Sequence, residues 1–282
     1  MFIGCVRRHI RYRRSTRTVT TVATILALFA SFGVAAQAPP GPPAGGPGGP
    51  PPPPSANVSV FATGVESPRG LRFGPDGNLY VAEGGLTPTN PTSTVGTCDQ
   101  VPPPVGPYMG GKTARISKVS PGGVVTTVVS GLPSSRDAMG AASAMEGVAD
   151  VEFIGTTLYG LIAGGGCSHG VADGPNTIIR VNADGSWTPG PDLGAFEKAH
   201  PVAKPEADDF EPDGTWYSMV NVGGALYAIE PNHGELDKIT TDGQISRVVD
   251  ISASQGHIVP TAVAYHNGNF YVGNLGTFPI VG

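Results

Sequence analysis

The chain has 282 residues, enough for one large all-β domain, and its 42 glycines and 29 prolines suit a turn-rich protein with a Pro/Gly-rich tail. The formal net charge is −5, but residues 1–38 contain six arginines and no acid, so the remainder has 11 basic against 22 acidic side chains. This acidity argues against nucleic acid and anionic membranes as partners, because both require clustered Lys and Arg.

Residues 1–36 are predicted to be a signal peptide, with a basic beginning and an apolar run over residues 22–34 that is short for a membrane span. Cleavage is expected before Gln37. Arg13 and Arg14 leave twin-arginine export open beside general secretion, which is favoured, and an uncleaved membrane anchor is the other alternative. The mature protein is therefore expected to be secreted or periplasmic, without membrane contact after cleavage.

Residues 37–56 are almost entirely Pro, Gly and Ala, so they predict a disordered, solvated spacer that cannot contribute to a core. A proline-rich ligand for another domain is the alternative interpretation. Residues 57–282 are expected to hold the folded domain.

A hairpin unit recurs along this domain. Its first copy, residues 67–85, has two short strands around the turn 74–77, where Pro75 presets φ and Gly77 accepts a positive φ. The Leu-Tyr pair after the turn occurs at 79–80, 158–159 and 226–227, and returns as Phe-Tyr at 270–271. Each pair is predicted to face an aromatic residue across its turn, namely Phe73, Phe153, Tyr217 and Tyr265.

A second hairpin follows each of the first three copies, which gives four short strands per repeat, typical of a β-propeller blade. The sequence therefore predicts an all-β fold, a β-propeller with about four blades represented here and six when complete. A β-sandwich with accidental similarity is the alternative. Residues 58–62 are predicted to close the ring against the last blade. Six blades need more chain than this, so a C-terminal truncation is expected.

The cysteines fall in equivalent loops. Residues 85–113 form a long insertion between strands two and three of the first blade and contain Cys98, while the corresponding loop of the second blade contains Cys167. Such loops of adjacent blades lie on one face, so an exported protein is expected to form a Cys98–Cys167 disulfide, with two independent thiols as the alternative.

Residues 193–200 predict a short helix.

Two segments resemble motifs of the ScyD/ScyE family: residues 67–83, and residues 259–264 together with 270–279. The resemblance covers about residues 57–282 and implies an exported six-bladed propeller of the NHL and gluconolactonase type. Family members usually continue beyond the Phe-Pro motif at 278–279, which agrees with truncation. The family has no firmly assigned reaction and no agreed catalytic residues.

Propellers bind ligands at the mouth of the central channel, where each inner strand begins. Aligning the copies places Arg69, Ala149, Asp213 and Thr261 at one equivalent position. Acidic residues lie on either side of it in several copies. The predicted ligand-binding set is therefore Glu66, Arg69, Glu146, Asp150, Glu211 and Asp213.

Carboxylates that converge on the channel axis suit a hard cation such as Ca²⁺, and Glu66 and Glu146 are its predicted ligands. A bound cation would polarise a carbonyl or activate water, which makes a metal-dependent hydrolase, lactonase or lyase one alternative function. The other interpretation is solvated loop charges, or ion pairs with Arg69 and Arg72. No nucleophile elbow, zinc spacing, phosphate loop or haem motif is present in the sequence. The favoured function is an exported binding or scaffold module for an extracellular or periplasmic protein, glycan or small molecule.

Overall fold

The structure, a computed structural model, describes residues 3–5, 57–205 and 210–276. The chain divides into two compact units, Met1–Arg7 with Phe61–Gly282, and Arg8–Val60. Within the described ranges the strands are β1 (Ile3–Cys5), β2 (Pro68–Phe73), β3 (Leu79–Glu83), β4 (Met109–Val119), β5 (Val125–Arg136), β6 (Met145–Glu146), β7 (Val148–Ile154), β8 (Thr157–Ile162), β9 (Thr177–Val181), β10 (Trp187–Asp192), β11 (Ser218–Val222), β12 (Ala225–Glu230), β13 (Glu235–Ile239), β14 (Ile245–Asp250), β15 (Pro260–His266) and β16 (Asn269–Asn274). The helices are α1 (Leu193–Ala199), α2 (Ser252–Gln255) and a 3₁₀ turn at Gly140–Ala142.

The strands form four antiparallel sheets in chain order: β2 to β6, β7 to β10, β11 to β14, and β15 with β16 and β1. The first strand of each sheet contacts the first strand of the next, through β2 with β7, β7 with β11, and β11 with β15. This is the arrangement of successive propeller blades. The predicted all-β, propeller-like fold is confirmed, and the total of six blades stays a prediction.

Apolar side chains fill the spaces between neighbouring blades. Ile116, Val151 and Ile179 are buried between the first and second blades, and Trp216 and Met219 between the second and third. The third and fourth blades meet through a further cluster that contains Ile229, Leu236, Val263 and Phe270. Each blade therefore buries an apolar face against the next one, which is how stacking stabilises small sheets.

The predicted closing strand at residues 58–62 is wrong, because this segment has no strand in the structure. In the fourth sheet, β16 pairs with β1 (Ile3–Cys5). Phe61 lies beside Gly123, in the turn between β4 and β5. The predicted short helix is confirmed as α1, whose N-terminus is capped by the Asp192 carboxylate accepting from the Ala195 amide at 2.8 Å.

Because successive strands alternate in direction, the connections alternate between the two ends of the blades. Tight turns join β2 to β3, β7 to β8 and β11 to β12 at one end. Within the described ranges the long connections, which include residues 84–108, 163–176, 193–205 and 210–217, lie at the other end, here called the mouth face. The inner strands β2, β7 and β11 begin at that face.

Candidate functional site

A pocket of about 620 Å³ lies at the mouth face, where the inner strands β2, β7 and β11 begin. The connection that precedes β7 forms one wall through Ser143 and Met145. The polar residues that line the pocket are Ser67, Arg69, Ser143, Glu146, Asp150, Tyr217 and Ser218. Three members of the predicted ligand-binding set, Arg69, Glu146 and Asp150, therefore meet in one pocket.

Arg69 is the centre of the pocket. Its Nη1 donates to the Glu146 carboxylate and, at 3.4 Å, to the Met145 carbonyl. Its Cζ lies 4.5 Å from the centroid of the Tyr217 ring, a cation–π contact. The Arg69 side chain is 15% exposed and that of Glu146 7%. The charges of this largely buried pair offset each other beside an aromatic face.

The negative charge of Glu146, together with burial, raises the pKa of Tyr217 to about 12. The Tyr217 phenol is therefore neutral at physiological pH and keeps its proton for donation. Sequence reasoning did not place Tyr217 in this site.

The strand register of the third blade explains why the sequence did not place Tyr217 in the pocket. Asn221 pairs with Leu226 there, as Phe73 pairs with Leu79 in the first blade, so Tyr217 is equivalent to Arg69. The predicted alignment, which put Asp213 at this position, is wrong by four residues. Asn221 stands where an aromatic residue was expected, and its Nδ2 donates to the Phe153 carbonyl of the second blade at 2.8 Å.

Asp150 connects the second and third blades. One carboxylate oxygen accepts from the Val151 amide at 2.8 Å, and the other accepts from the Met219 amide at 2.8 Å and from the Ser218 hydroxyl at 3.3 Å. Burial raises the pKa of Asp150 to about 6, against the lowering effect of these backbone bonds. Asp150 thus lines the pocket, and each of its carboxylate oxygens accepts a hydrogen bond from a backbone amide.

Glu66 lies in a different ion pair. Its carboxylate is 3.3 Å from Nη1 of Arg115, which also donates through Nε to Glu83 at 3.0 Å. The predicted Ca²⁺ ligands Glu66 and Glu146 each have an arginine partner in the structure, Arg115 and Arg69 respectively. Calcium binding by these two residues stays a prediction.

Glu211 belongs to a buried network around His169. The Tyr108 hydroxyl donates to the Glu211 carboxylate at 3.0 Å, and His169 Nε2 lies 3.4 Å from the same carboxylate. His169 Nδ1 is 2.9 Å from the Ser135 hydroxyl, and its ring packs 4.6 Å from that of Tyr108. Burial lowers the pKa of His169, but Glu211 outweighs that effect and the net pKa is raised.

Asp213 accepts from the Ser168 amide and hydroxyl, both at 2.7 Å, and from Lys198 Nζ at 2.6 Å. Burial raises the pKa of Asp213, but the bonds from Lys198 and Ser168 prevail and lower it. Among the described residues, the pocket lining includes neither Asp213 nor Glu211. Both acids instead hold the 163–176 connection against the segment that precedes β11.

The predicted disulfide is confirmed: Cys98 is bonded to Cys167, with a Cα–Cα distance of 6.4 Å. The insertion that carries Cys98 is also tied to the second blade by Thr92, whose hydroxyl donates to the Gly170 carbonyl at 2.6 Å. The two longest elaborations of the first two blades are therefore fixed to each other on the mouth face.

Sequence reasoning also missed a second cluster of ionisable groups. Glu197, Glu230 and His233 are all buried and offer ligand atoms that lie within 4.8 Å of one another. Burial raises the pKa of Glu197, whereas for His233 burial lowers the pKa and the two carboxylates more than reverse that effect. The only sequence signal was the short spacing of Glu230 and His233 around a turn, which is too common to single out.

No family model and no curated protein matches this chain. Among solved structures, it is similar to a putative oxidoreductase (glucose dehydrogenase) from Thermus thermophilus, with 16% identity, a TM-score of 0.36, and coverage of 77% of this chain and 78% of that one. It is also similar to the PQQ-bound form of an aldose sugar dehydrogenase from Streptomyces coelicolor, with 12% identity, a TM-score of 0.26, and coverage of 76% and 90%. Similarity this weak carries no information about substrate or cofactor.

Among the described residues, no helix is long and apolar enough to cross a membrane. The predicted signal peptide lies largely outside those residues, as does the predicted spacer.

Proposed function

We propose that this protein is an exported binding propeller whose mouth pocket holds a small, neutral, polyhydroxylated ligand, such as a monosaccharide or the end of a glycan. The observation that carries the proposal is the Arg69–Glu146 ion pair, packed on the Tyr217 ring inside a pocket of about 620 Å³. That volume lies within the roughly 300–1,000 Å³ that is usual for small-molecule sites.

The central ion pair of the pocket favours a neutral ligand. The charges of Arg69 and Glu146 offset each other, so a strongly charged ligand would have to separate a largely buried pair. A neutral ligand can use the spare guanidinium donors and carboxylate acceptor sites and leave the pair intact.

Hydroxyl groups complete the recognition surface. Ser67, Ser143, Ser218 and the neutral phenol of Tyr217 all line the pocket. The three serine hydroxyls donate to Gly85, Asp137 and Asp150, so they offer a ligand their lone pairs, while the Tyr217 phenol keeps a proton to donate. Sugar hydroxyls both donate and accept, so they can meet acceptors and donors alike, and a sugar ring also has C–H faces that pack on an aromatic ring. A polyhydroxylated ligand is therefore the chemical class that this lining matches best.

A secreted or periplasmic location is part of the proposal. The Cys98–Cys167 disulfide supports it, because structural disulfides persist in oxidising compartments. The acidic balance outside residues 1–38 agrees with a partner other than nucleic acid. No specific contact favours the alternative of a Ca²⁺-dependent hydrolase, since Glu66 and Glu146 each form an ion pair with an arginine.

The test is a saccharide-binding screen by calorimetry on the secreted protein, followed by variants. Tyr217→Ala and Arg69→Lys should each weaken binding at least tenfold, because they remove the aromatic face and the forked donor. Arg72→Lys is the matched control, since Arg72 pairs with Glu152 outside the pocket lining and its change should leave affinity unaltered. Equal affinity in all three variants, or failure of every saccharide to bind, would contradict the proposal.

A further inference from the structure

Three separate elements bring Glu197, Glu230 and His233 together. Glu197 lies in the last turn of α1, Glu230 ends β12, and His233 is in the turn before β13. His233 Nδ1 is 3.3 Å from a carboxylate oxygen of Glu197 and 3.3 Å from one of Glu230. Among the described residues, no other group of three or more His, Cys, Asp or Glu side chains offers ligand atoms this close to one another.

Glu197 lacks the donors that a buried carboxylate normally has. The residue is 4% exposed, and apart from the contact with His233 neither oxygen has a hydrogen-bond donor among the described residues. Gly214 leaves room for it, because a Cβ at that position would lie 2.3 Å from Glu197 Oε2. An ionised carboxylate buried in this way is costly unless a cation compensates it.

Comparison of the first and third blades shows that the third blade lacks a basic residue opposite its buried glutamate. In the first blade Glu83 lies opposite Arg115 across β3 and β4, and the two form an ion pair at 2.9 Å. The equivalent positions of the third blade are Glu230 and Glu235, which lie opposite each other across β12 and β13. Two acids have thus replaced an acid–base pair, and like charges directly opposite each other destabilise a sheet.

The surroundings add to this excess of negative charge. Asp237, two residues along β13, is also buried, and neither of its oxygens has a hydrogen-bond donor among the described residues. Arg247 pairs with Glu235. Four buried acids therefore share this region with two basic side chains, Arg247 and His233.

We propose that Glu197, Glu230 and His233 bind one divalent transition-metal ion, Zn²⁺ or Mn²⁺, at a site distinct from the mouth pocket. Two carboxylates and one imidazole form a mixed oxygen and nitrogen set that suits these ions. Calcium is disfavoured because it takes oxygen ligands.

The surrounding structure holds the ligands in place. Glu230 accepts from the Thr215 amide through Oε1 at 2.9 Å and from the His233 amide through Oε2 at 2.5 Å, so backbone donors position both of its oxygens. The Asp192 cap fixes the start of the helix that carries Glu197. The ion would join α1 to the β12–β13 turn, and its burial makes it a structural rather than a solvent-accessible centre.

The experiment uses the secreted protein, freed of metal with a chelator and titrated by calorimetry with Zn²⁺, Mn²⁺ and Ca²⁺. One Zn²⁺ or Mn²⁺ should bind per chain, and excess Ca²⁺ should not displace it. Glu197→Gln should lower affinity by at least the roughly 10–100-fold that follows loss of an outer-shell partner. His266→Gln is the control for adventitious surface binding, because His266 is exposed. The metal affinity of this variant should equal that of the unchanged protein.

A second measurement does not depend on the folding of a variant. Co²⁺ added to the unchanged metal-free protein should give visible absorption bands of a nitrogen- and oxygen-ligated ion, and one equivalent of Zn²⁺ should abolish them. Absence of stoichiometric Zn²⁺ or Mn²⁺ binding, or equal affinity in Glu197→Gln and His266→Gln, would overturn the proposal. Saccharide binding at the mouth pocket is measured separately, so either proposal can fail alone.

Discussion

Arg69 and Tyr217 occupy the same inner-strand position in the first and third blades, and the guanidinium lies 4.5 Å from the centre of the ring. The second blade has Ala149 at this position, so no large side chain separates the other two. The contact therefore depends on a small side chain at this position in the second blade, between large side chains in the first and third blades. It links two blades that are not neighbours in sequence.

The first prediction concerns the partner of this arginine. Arg69→Met should destabilise the protein by about 3 kcal/mol, because it leaves the buried Glu146 carboxylate without its cation. The double variant Arg69→Met/Glu146→Gln should recover most of that loss. Urea unfolding of the single and double variants measures both changes, and a single variant as stable as the unchanged protein would refute the role of the pair.

The second prediction concerns pH. Burial raises the pKa of Asp150 from 3.8 to about 6, so between these values the folded state binds a proton that the unfolded state does not. Stability supplied by this group therefore rises as pH falls from about 6 to about 4, by up to about 1.4 kcal/mol per pH unit. Asp150→Asn should lack this contribution.

The measurement for Asp150 is denaturant unfolding of both proteins at several pH values between about 4 and 7. The difference in unfolding free energy isolates Asp150, because the other acids titrate in both proteins. A difference that does not change over this interval would mean that the carboxylate titrates normally in the folded protein.

The third prediction concerns the approach of the first blade to the second. A Cβ on Gly70 would lie 2.1 Å from Asp150 Oδ1 and 2.7 Å from its Cα, so Gly70→Ala should force the blades apart at a cost of about 1–3 kcal/mol. Gly122→Ala is the matched control, since its nearest neighbour would be 3.8 Å away. Thermal melting should show a large loss only in Gly70→Ala, and equal melting temperatures would contradict the close packing.

The repeated hairpins made the fold predictable. Alternation of apolar residues and the recurrent Leu-Tyr pair reflect local geometry that each blade repeats, so strand order and the position of α1 followed from the sequence. The disulfide followed as well, because equivalent loops of adjacent blades lie on one face. The pairing of β16 with β1 did not follow from the sequence, because these two segments lie far apart in the chain.

The candidate site was only partly predictable, because its geometry depends on register. Arg69, Glu146 and Asp150 were identified by their distance from a clear hairpin. Tyr217 was missed because Asn221, a polar residue that bonds to the neighbouring blade, takes the place where an aromatic was expected. Glu197 and His233 come from elements separated by a long connection, and no local pattern relates them.

The last prediction concerns the disulfide. Cys98 and Cys167 are 69 positions apart, so their bond restricts a long loop in the unfolded chain and should stabilise the protein by about 4 kcal/mol. Reductant should lower the melting temperature of the unchanged protein but not that of Cys98→Ser/Cys167→Ser. Thr92 and Thr94 would still bond to the second blade, so the reduced protein should keep its fold in circular dichroism. A reduced protein that melts at the same temperature as the oxidised one would show that the tether adds nothing to those contacts.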